Sequence, residues 1–326
     1  MPGARRIQRR AALDGQSPAV GGAFERGVDS DGRRKGTRRR SERVSEGADS
    51  DGPQIVIENL VKRFGDRTVL DHINITIDRG ETLVVIGGSG AGKSTLVRHL
   101  IALERPTSGK ILVDGTDMAS LGDYELSKVR RKFGMVFQKY ALFDSMTVYD
   151  NVAFPLREQT KMSEREIKDR VMTKLEELGV AHAVQRTPAE ISGGMAKRVG
   201  IARALVLEPE ILIYDEPTSG LDPVTSRTVD ELIEEMRERF GVTSVVITHD
   251  MASAFDIADR VAMLVRGKIA VEGPPETVMA SEHEDVQRFV HSSAIDPGRV
   301  AERSARKTPA QVRAMRAARL AKGEAK

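Results

Sequence analysis

One run in this chain has the residue types and spacing to bind phosphate: Gly87–Thr95, GGSGAGKST. Gly87, Gly92, Lys93 and Ser94 occupy the fixed positions of the pattern G-x-x-x-x-G-K-[ST], with Gly88, Ser89, Gly90 and Ala91 between them and Thr95 following. Glycines let successive backbone N–H groups turn inward around an anion without Cβ clashes. A helix that starts at once adds its unpaired N–H groups and the positive end of its dipole. Lys93 can reach the outer phosphates as a point charge, and the Ser94 hydroxyl can ligate Mg²⁺. The competing reading is an ordinary glycine-rich turn, a coincidence expected in roughly one chain of this length in a hundred.

Further groups have types that phosphoryl transfer to water uses. Glu210–Glu216 (EILIYDE) runs an apolar strand into two adjacent carboxylates, Asp215 and Glu216, which suit a metal-side ligand and a candidate base. Ser244–Asp250 (SVVITHD) delivers His249 at the exit of a second apolar strand. A lone histidine there is more often structural, but its place after a phosphate loop and an acidic strand favours chemistry. Ser192-Gly193-Gly194 opens a helical run and offers a second anion-binding N-terminus, against the alternative of a flexible turn. Phe64, in the turn-like segment Val61–Gly65, can stack on a purine or equally belong to the core.

These groups need a scaffold, and the apolar patterning supplies an α/β one. Leu83–Ile86 leads into the phosphate loop as a buried strand, and a helix from Thr95 to Leu103 leaves it. Gln54–Leu60 and Asp71–Asp78 alternate apolar and polar residues, as strands of an antiparallel layer do. Gly109–Gly115 reads as a hairpin element, and Arg130–Gln138 carries a strand ending in Gln138. The character then changes. Thr147–Leu156 and Ser163–Leu178 are helical, the second opened by a capping box of Ser163 and Glu166, so residues 139–190 form a mostly helical insert. Arg260–Arg266 and Lys268–Val271 read as strands around Gly267, and Glu276–His291 as one helix closing the core.

The 326 residues are 40% hydrophobic and 30% charged, a globular composition, and no apolar run approaches the ~20 residues of a membrane span. With no cysteine, disulfides, thiolate metal sites and cysteine nucleophiles are excluded. The net charge of +3 is uneven. Residues 1–52 hold arginine clusters at Arg5–Arg10 and Arg33–Arg40, with too little apolar surface to offset ordering entropy, and are expected to be a disordered basic tail. An arm for anionic lipid or nucleic acid is the alternative use of such a tail, which lacks the apolar stretch of a secretory signal. Residues 53–290 make the folded domain, and residues 291–326 a basic extension with a short helix from Pro309 to Lys322, capped by Thr308 and Gln311.

The ordered set GGSGAGKST, Gln138, ISGGM, ILIYDE, SGLD and ITHD resembles the nucleotide-binding subunit of ATP-binding-cassette (ABC) transporters over about residues 54–290. The resemblance implies a P-loop ABC ATPase core with an antiparallel β layer and an inserted helical subdomain, using ATP and Mg²⁺. It implies that Gly87–Thr95 hold the phosphates, that Ser94, Asp215 and Gln138 organise Mg²⁺, and that Glu216 polarises the attacking water. His249 would contact the γ-phosphate, Gln138 would sense it and link to the membrane partner, and Phe64 would stack on adenine. Ser192, Gly193 and Gly194, helped by Asp222, would complete the site of an opposing subunit.

With one P-loop and one SGG helix per chain, such composite sites need a homodimer. The family's signature usually ends in Gln; Met195 stands there instead, so any hydrogen bond from that side chain is lost while Ser192 and the backbone N–H groups remain. ISGGMAKR and Asp144–Glu158 (DSMTVYDNVAFPLRE) look like the ATPases of the Mla and Mce lipid-transport systems. That subgroup implies lipid or sterol transport through two integral-membrane permease subunits, with Mce/Mla-type lipid-binding proteins in the same complex. The ATPase would sit peripherally on the cytoplasmic side of the inner membrane, with its C-terminal extension as a dimer clamp and no nucleic acid bound. The rivals are an ATPase of a polar-solute (amino acid) importer and, further off, a non-transport ATPase acting on nucleic acid or ribosomes.

Overall fold

The computed structural model describes residues 52–138, 140–292 and 308–321. Apart from Gly52, the basic N-terminal tail lies outside the described residues, as do residues 293–307 and the side chains of Met315 and Leu320. Strands β1 (Ile55–Phe64), β2 (Arg67–Ile77), β4 (Ser108–Val113) and β5 (Thr116–Asp117) form an antiparallel sheet in the order β2-β1-β4-β5. A second sheet contains β3 (Thr82–Ile86), β6 (Phe133–Phe137), β7 (Ile211–Asp215), β8 (Thr243–Thr248), β9 (Arg260–Val265) and β10 (Lys268–Gly273). Its order is β10-β9-β3-β8-β7-β6, parallel except for the antiparallel edge strand β10.

The central strands are covered on both faces, which is why they read as continuous apolar runs. Period-two geometry splits each run between two cores. Leu83, Val85, Ile211, Ile213, Val245 and Ile247 face helix α1 (Lys93–Leu100) and the antiparallel sheet. Val84, Ile86, Leu212, Tyr214 and Val246 face a helical layer on the other side. That layer holds α3 (Val148–Gln159), α4 (Glu164–Glu177), α5 (Gly193–Leu205), α6 (Pro223–Phe240) and α7 (Met251–Ile257), while α2 (Asp123–Arg130) lies beside the α1 core. The Ser163–Glu166 capping box forms as predicted, each partner bonding the other's backbone N–H. Helix α5 packs on α3 and α4, so the helical region runs on past residue 190 to Leu205.

Two expectations about elements are corrected. The turn-like segment Val61–Gly65 is strand as far as Phe64, because a bulge at Asn59 (φ 48°) shifts the register and breaks the alternation without ending the pairing. Gly109 on β4 accommodates the bulge: a Cβ there would lie 2.3 Å from the Asn59 carbonyl oxygen. The single helix predicted over Glu276–His291 is two, α8 (Pro275–Met279) and α9 (Glu284–His291). The break is stabilised by Gln287, whose side chain donates to the freed carbonyls of Met279 and Ser281.

The C-terminal helix α10 (Pro309–Ala321) opens with the predicted Thr308–Gln311 box. It docks on α6 and on the turn at Gly80, where Val312 is fully buried. Among the described residues no helix is long and apolar enough to cross a membrane.

Candidate active site

Parallel strands deliver their carboxyl ends to one edge of the sheet, and the loops leaving that edge carry the candidate residues. Along the edge stand Gln138 after β6, Asp215 and Glu216 at β7, His249 after β8, and Gly87–Gly92 between β3 and α1. Register makes the neighbours explicit: Phe137 pairs with Asp215, Asp215 with Ile247, and Thr248 with Ile86. Residues scattered over more than 150 positions of sequence therefore meet because four apolar strands hydrogen-bond in parallel.

The phosphate loop is buried on one side and open on the other. Gly87, Ala91 and Gly92 are buried, whereas Gly88, Ser89, Gly90 and Ser94 are exposed and Thr95 is half-buried. Gly87 (φ 155°) passes so close to β9 that a Cβ would stand 2.3 Å from the Leu264 carbonyl oxygen. Gly92 (φ 113°) passes β2 in the same way, with the Val69 carbonyl oxygen 2.9 Å from a built Cβ. Strand β2 was not tied to the phosphate loop by the sequence, and only these close approaches reveal it as the backing. Helix α1 has no side-chain cap and no acidic residue in its first turn, so its N-terminal N–H groups remain available to an anion.

Lys93 is 9% exposed and donates to the carbonyls of Gly87 (2.6 Å) and Gly88 (3.3 Å). Two of its three donors are thus committed to the loop. Its Nζ lies 3.7 Å from Glu216 Oε1, and the other carboxylate oxygen of Glu216 is 2.7 Å from His249 Nδ1. Glu216 itself holds a left-handed backbone conformation (φ 51°), its N–H donating to the Ile247 carbonyl at 2.8 Å. No sequence signal marks that strain. It turns the chain sharply after β7 and brings the carboxylate back over β8.

Burial pushes the Asp215 carboxyl above the usual carboxylate range; the neighbouring Glu216 charge adds to this and Lys93 opposes it. A divalent cation would relieve that cost, and Ser94 hydroxyl with Asp215 is a hard-oxygen donor pair of the kind Mg²⁺ accepts alongside waters and substrate phosphates. Among the described residues no group of three or more His, Asp or Glu is arranged as an all-protein metal cage, and such a site would not need one. The residues fit the ion.

Other candidates lie apart from this cluster. Phe64 is 47% exposed at the tip of the β1–β2 hairpin, with the Lys62 ammonium 4.9 Å from its ring centroid. It belongs to neither core, and the ring is open to solvent where Lys62 does not cover it. Ser192 caps α5 by accepting from the Met195 N–H at 3.3 Å, and a Cβ on Gly193 or Gly194 would meet nothing within 4 Å. Their smallness is not required by this chain's own packing. Among the described residues no hydrogen bond joins Ser192–Gly194 to the Lys93–Glu216–His249 cluster. Asp222 caps α6, accepting from the N–H groups of Val224 and Thr225.

Comparison with known proteins follows the same lines. A family model described as ABC transporter matches residues 70–219. The chain is 41% identical over 264 residues to the Mycobacterium tuberculosis protein named "Probable ribonucleotide transport ATP-binding protein mkl", covering 81% of this chain and 74% of that one. It is 37% identical over 245 residues to the "Intermembrane phospholipid transport system ATP-binding protein MlaF" of Haemophilus influenzae, covering 75% and 93%. Over 252 residues it is 41% identical to the "Methionine import ATP-binding protein MetN" of Mesorhizobium japonicum, covering 77% and 68%. Among solved structures, the ATP-binding cassette MJ0796, dimeric in a post-hydrolysis state with ADP and Pi, matches with a TM-score of 0.60 at 33% identity, covering 68% of this chain and 98% of that one.

Proposed function

The chain belongs to the ATP-binding subunits of ABC transporters, and from that premise we propose that it hydrolyses ATP to drive a lipid or sterol transporter of the Mla/Mce type. The observation that carries hydrolysis is the Lys93–Glu216–His249 cluster at the mouth of the phosphate loop. Lys93 and the N–H groups of the loop and α1 hold the phosphates. Glu216 takes the proton of the attacking water, and His249 orients that carboxylate and reaches the γ-phosphate. Ser94, Asp215 and Gln138 would hold Mg²⁺, which would neutralise charge on the β- and γ-phosphate oxygens. Phe64 stacks on the adenine.

A second copy supplies Ser192, Gly193 and Gly194, with Asp222, to close each site, so the working unit is a homodimer. The open space over Gly193 and Gly194 supports this reading, as does the dimeric relative with ADP and Pi. Two permease subunits and Mce/Mla-type lipid-binding proteins complete the assembly, with this chain peripheral on the cytoplasmic face of the membrane. Residues 53–290 constitute the ATPase domain.

The lipid assignment rests on Met195 in ISGGMAKR together with the likeness to MlaF over nearly all of that protein. The likeness to MetN, whose name specifies methionine import, favours the second reading, a polar-solute importer with the same engine. Affinity purification of Glu216→Gln with ATP from detergent-solubilised membranes separates the two. Paired permeases with lipid-binding Mce-type proteins support the first. A polar-solute permease overturns the lipid assignment alone, and ribosomes or DNA proteins without a membrane partner overturn transport.

A further inference from the structure

The loop after Gln138 is held in a conformation that its own sequence disfavours. Tyr140 (φ 57°) and Ala141 (φ 43°) are consecutive non-glycine residues in the left-handed region. Arg203 of α5 grips the same two residues, Nη1 donating to the Ala141 carbonyl at 2.7 Å and Nη2 to the Tyr140 carbonyl at 2.8 Å. Its guanidinium also lies 5.7 Å from the ring centroid of Phe143. Among the described residues no carboxylate pairs with Arg203, so the fork is committed to backbone carbonyls.

The rest of that face of α5 is shaped to the same loop. Gly200, one turn before Arg203, is where Tyr140 rests: a Cβ there would lie 2.9 Å from the Tyr140 Cβ. One turn earlier again, the buried Lys197 ammonium is 5.9 Å from the Tyr140 ring centroid. From α3, the fully buried Asn151 accepts from the Phe143 N–H at 2.8 Å and donates to the carbonyls of Phe143, Met146 and Thr147. Both strained residues are thus clamped by the helix whose first turn is Ser192-Gly193-Gly194.

We propose that Arg203 is a positioning residue that couples the two ATP sites of the dimer, by making the loop after Gln138 and helix α5 move as one body. The proposal rests on the reading above, in which Gln138 serves the chain's own nucleotide and Ser192–Gly194 complete the partner's. Within one chain the two groups belong to different sites, and the Arg203 fork bonds directly between the elements that carry them. Lysine would keep the charge but lose the two-pronged geometry, so Arg203→Lys isolates the grip from the charge.

The test uses the full chain, with Arg203→Lys as the main variant and Arg203→Ala as the harsher one. In Arg203→Lys, amide exchange over Tyr140–Met146 is expected to rise roughly tenfold while the amides of α5 keep their protection. Binding of a fluorescent ATP analogue is unchanged, kcat falls roughly tenfold, and the Hill coefficient for ATP, at most about 2 for two sites, moves toward one. A cooperative wild-type dimer whose Hill coefficient and loop exchange survive Arg203→Lys overturns the coupling and leaves the composite site standing. Loosening spread evenly over α3–α5 also overturns it, as a merely structural role. A wild type that hydrolyses ATP as a monomer overturns the composite-site reading, and the coupling falls with it.

Discussion

The carboxylate of Glu216 and the imidazole of His249 are bonded to each other, Oε2 to Nδ1 at 2.7 Å, across the adjacent ends of β7 and β8. With Nδ1 donating to the carboxylate, Nε2 is left for another partner, and the tautomer is set by the bond. Glu216→Gln is expected to lower steady-state phosphate release by ~10²–10⁴-fold, as loss of a general base does. His249→Ala should also lower it, by ~10²-fold. Under the proposed roles the bonded pair acts as a unit, so the double variant should be little worse than Glu216→Gln. A double loss equal to the product of the single losses would show that the bond has no part in catalysis.

Two neighbouring glycines of the phosphate loop should respond differently to the same change. Gly87→Ala forces a Cβ against the Leu264 carbonyl in a left-handed conformation, and should cost ~2–4 kcal/mol of stability in urea unfolding. Gly88→Ala meets nothing within 4 Å in the protein itself. Its stability should stay within ~0.5 kcal/mol of wild type, while ATP affinity drops because the added methyl enters the phosphate space. Unchanged ATP affinity in Gly88→Ala would place the phosphates elsewhere.

Burial pushes the Glu81 carboxyl up to about 7; its hydrogen bond from the Asp78 N–H and the nearby Arg260 charge pull the other way. A folded-state value above the unfolded one means that the native state binds the extra proton. Stability therefore falls as pH rises from about 4.5 to 7 and levels off above, by as much as ~3 kcal/mol from this group. Glu81→Gln keeps an acceptor for Asp78 and removes the titration, so its unfolding free energy should lose that slope between pH 5 and 7. A slope identical to wild type would exclude Glu81 as its source.

Helix α10 should contribute measurably to the fold. Gly80 has its N–H bonded to Thr243 Oγ1 at 2.8 Å and its carbonyl to Arg237 Nε at 3.0 Å, and its bare Cα receives Val312. Val312→Ala should cost ~1–3 kcal/mol in urea unfolding, and Gly80→Ala should displace the helix. Sedimentation of the chain lacking residues 292–326 tests the dimer-clamp expectation, since an unchanged dimer would exclude it.

Where sequence and structure agree, short-range chemistry is the reason. GGSGAGKST, the apolar runs ending in Asp215-Glu216 and in His249, and the Ser163–Glu166 box are local patterns whose meaning depends on a few adjacent residues. Alternation over Asp71–Asp78 likewise announced a half-covered strand, and β2 is one. The bulge at Asn59 defeated the same reasoning one strand earlier, because an added residue shifts the period while the ladder continues.

By itself, then, the sequence determined the α/β class, the phosphate loop and the identities of the residues available for chemistry, since these follow from patterns within a dozen positions. Only the tertiary structure decided which of them meet. The parallel register set Glu216 against His249 and Lys93, and the left-handed turn at Glu216 closed the gap. Close backbone approach made β2 and β9 the walls of the phosphate loop, and the fork of Arg203 found two carbonyls some sixty positions upstream. Those relations depend on contacts between distant segments, which have no period or spacing to read until the chain has folded.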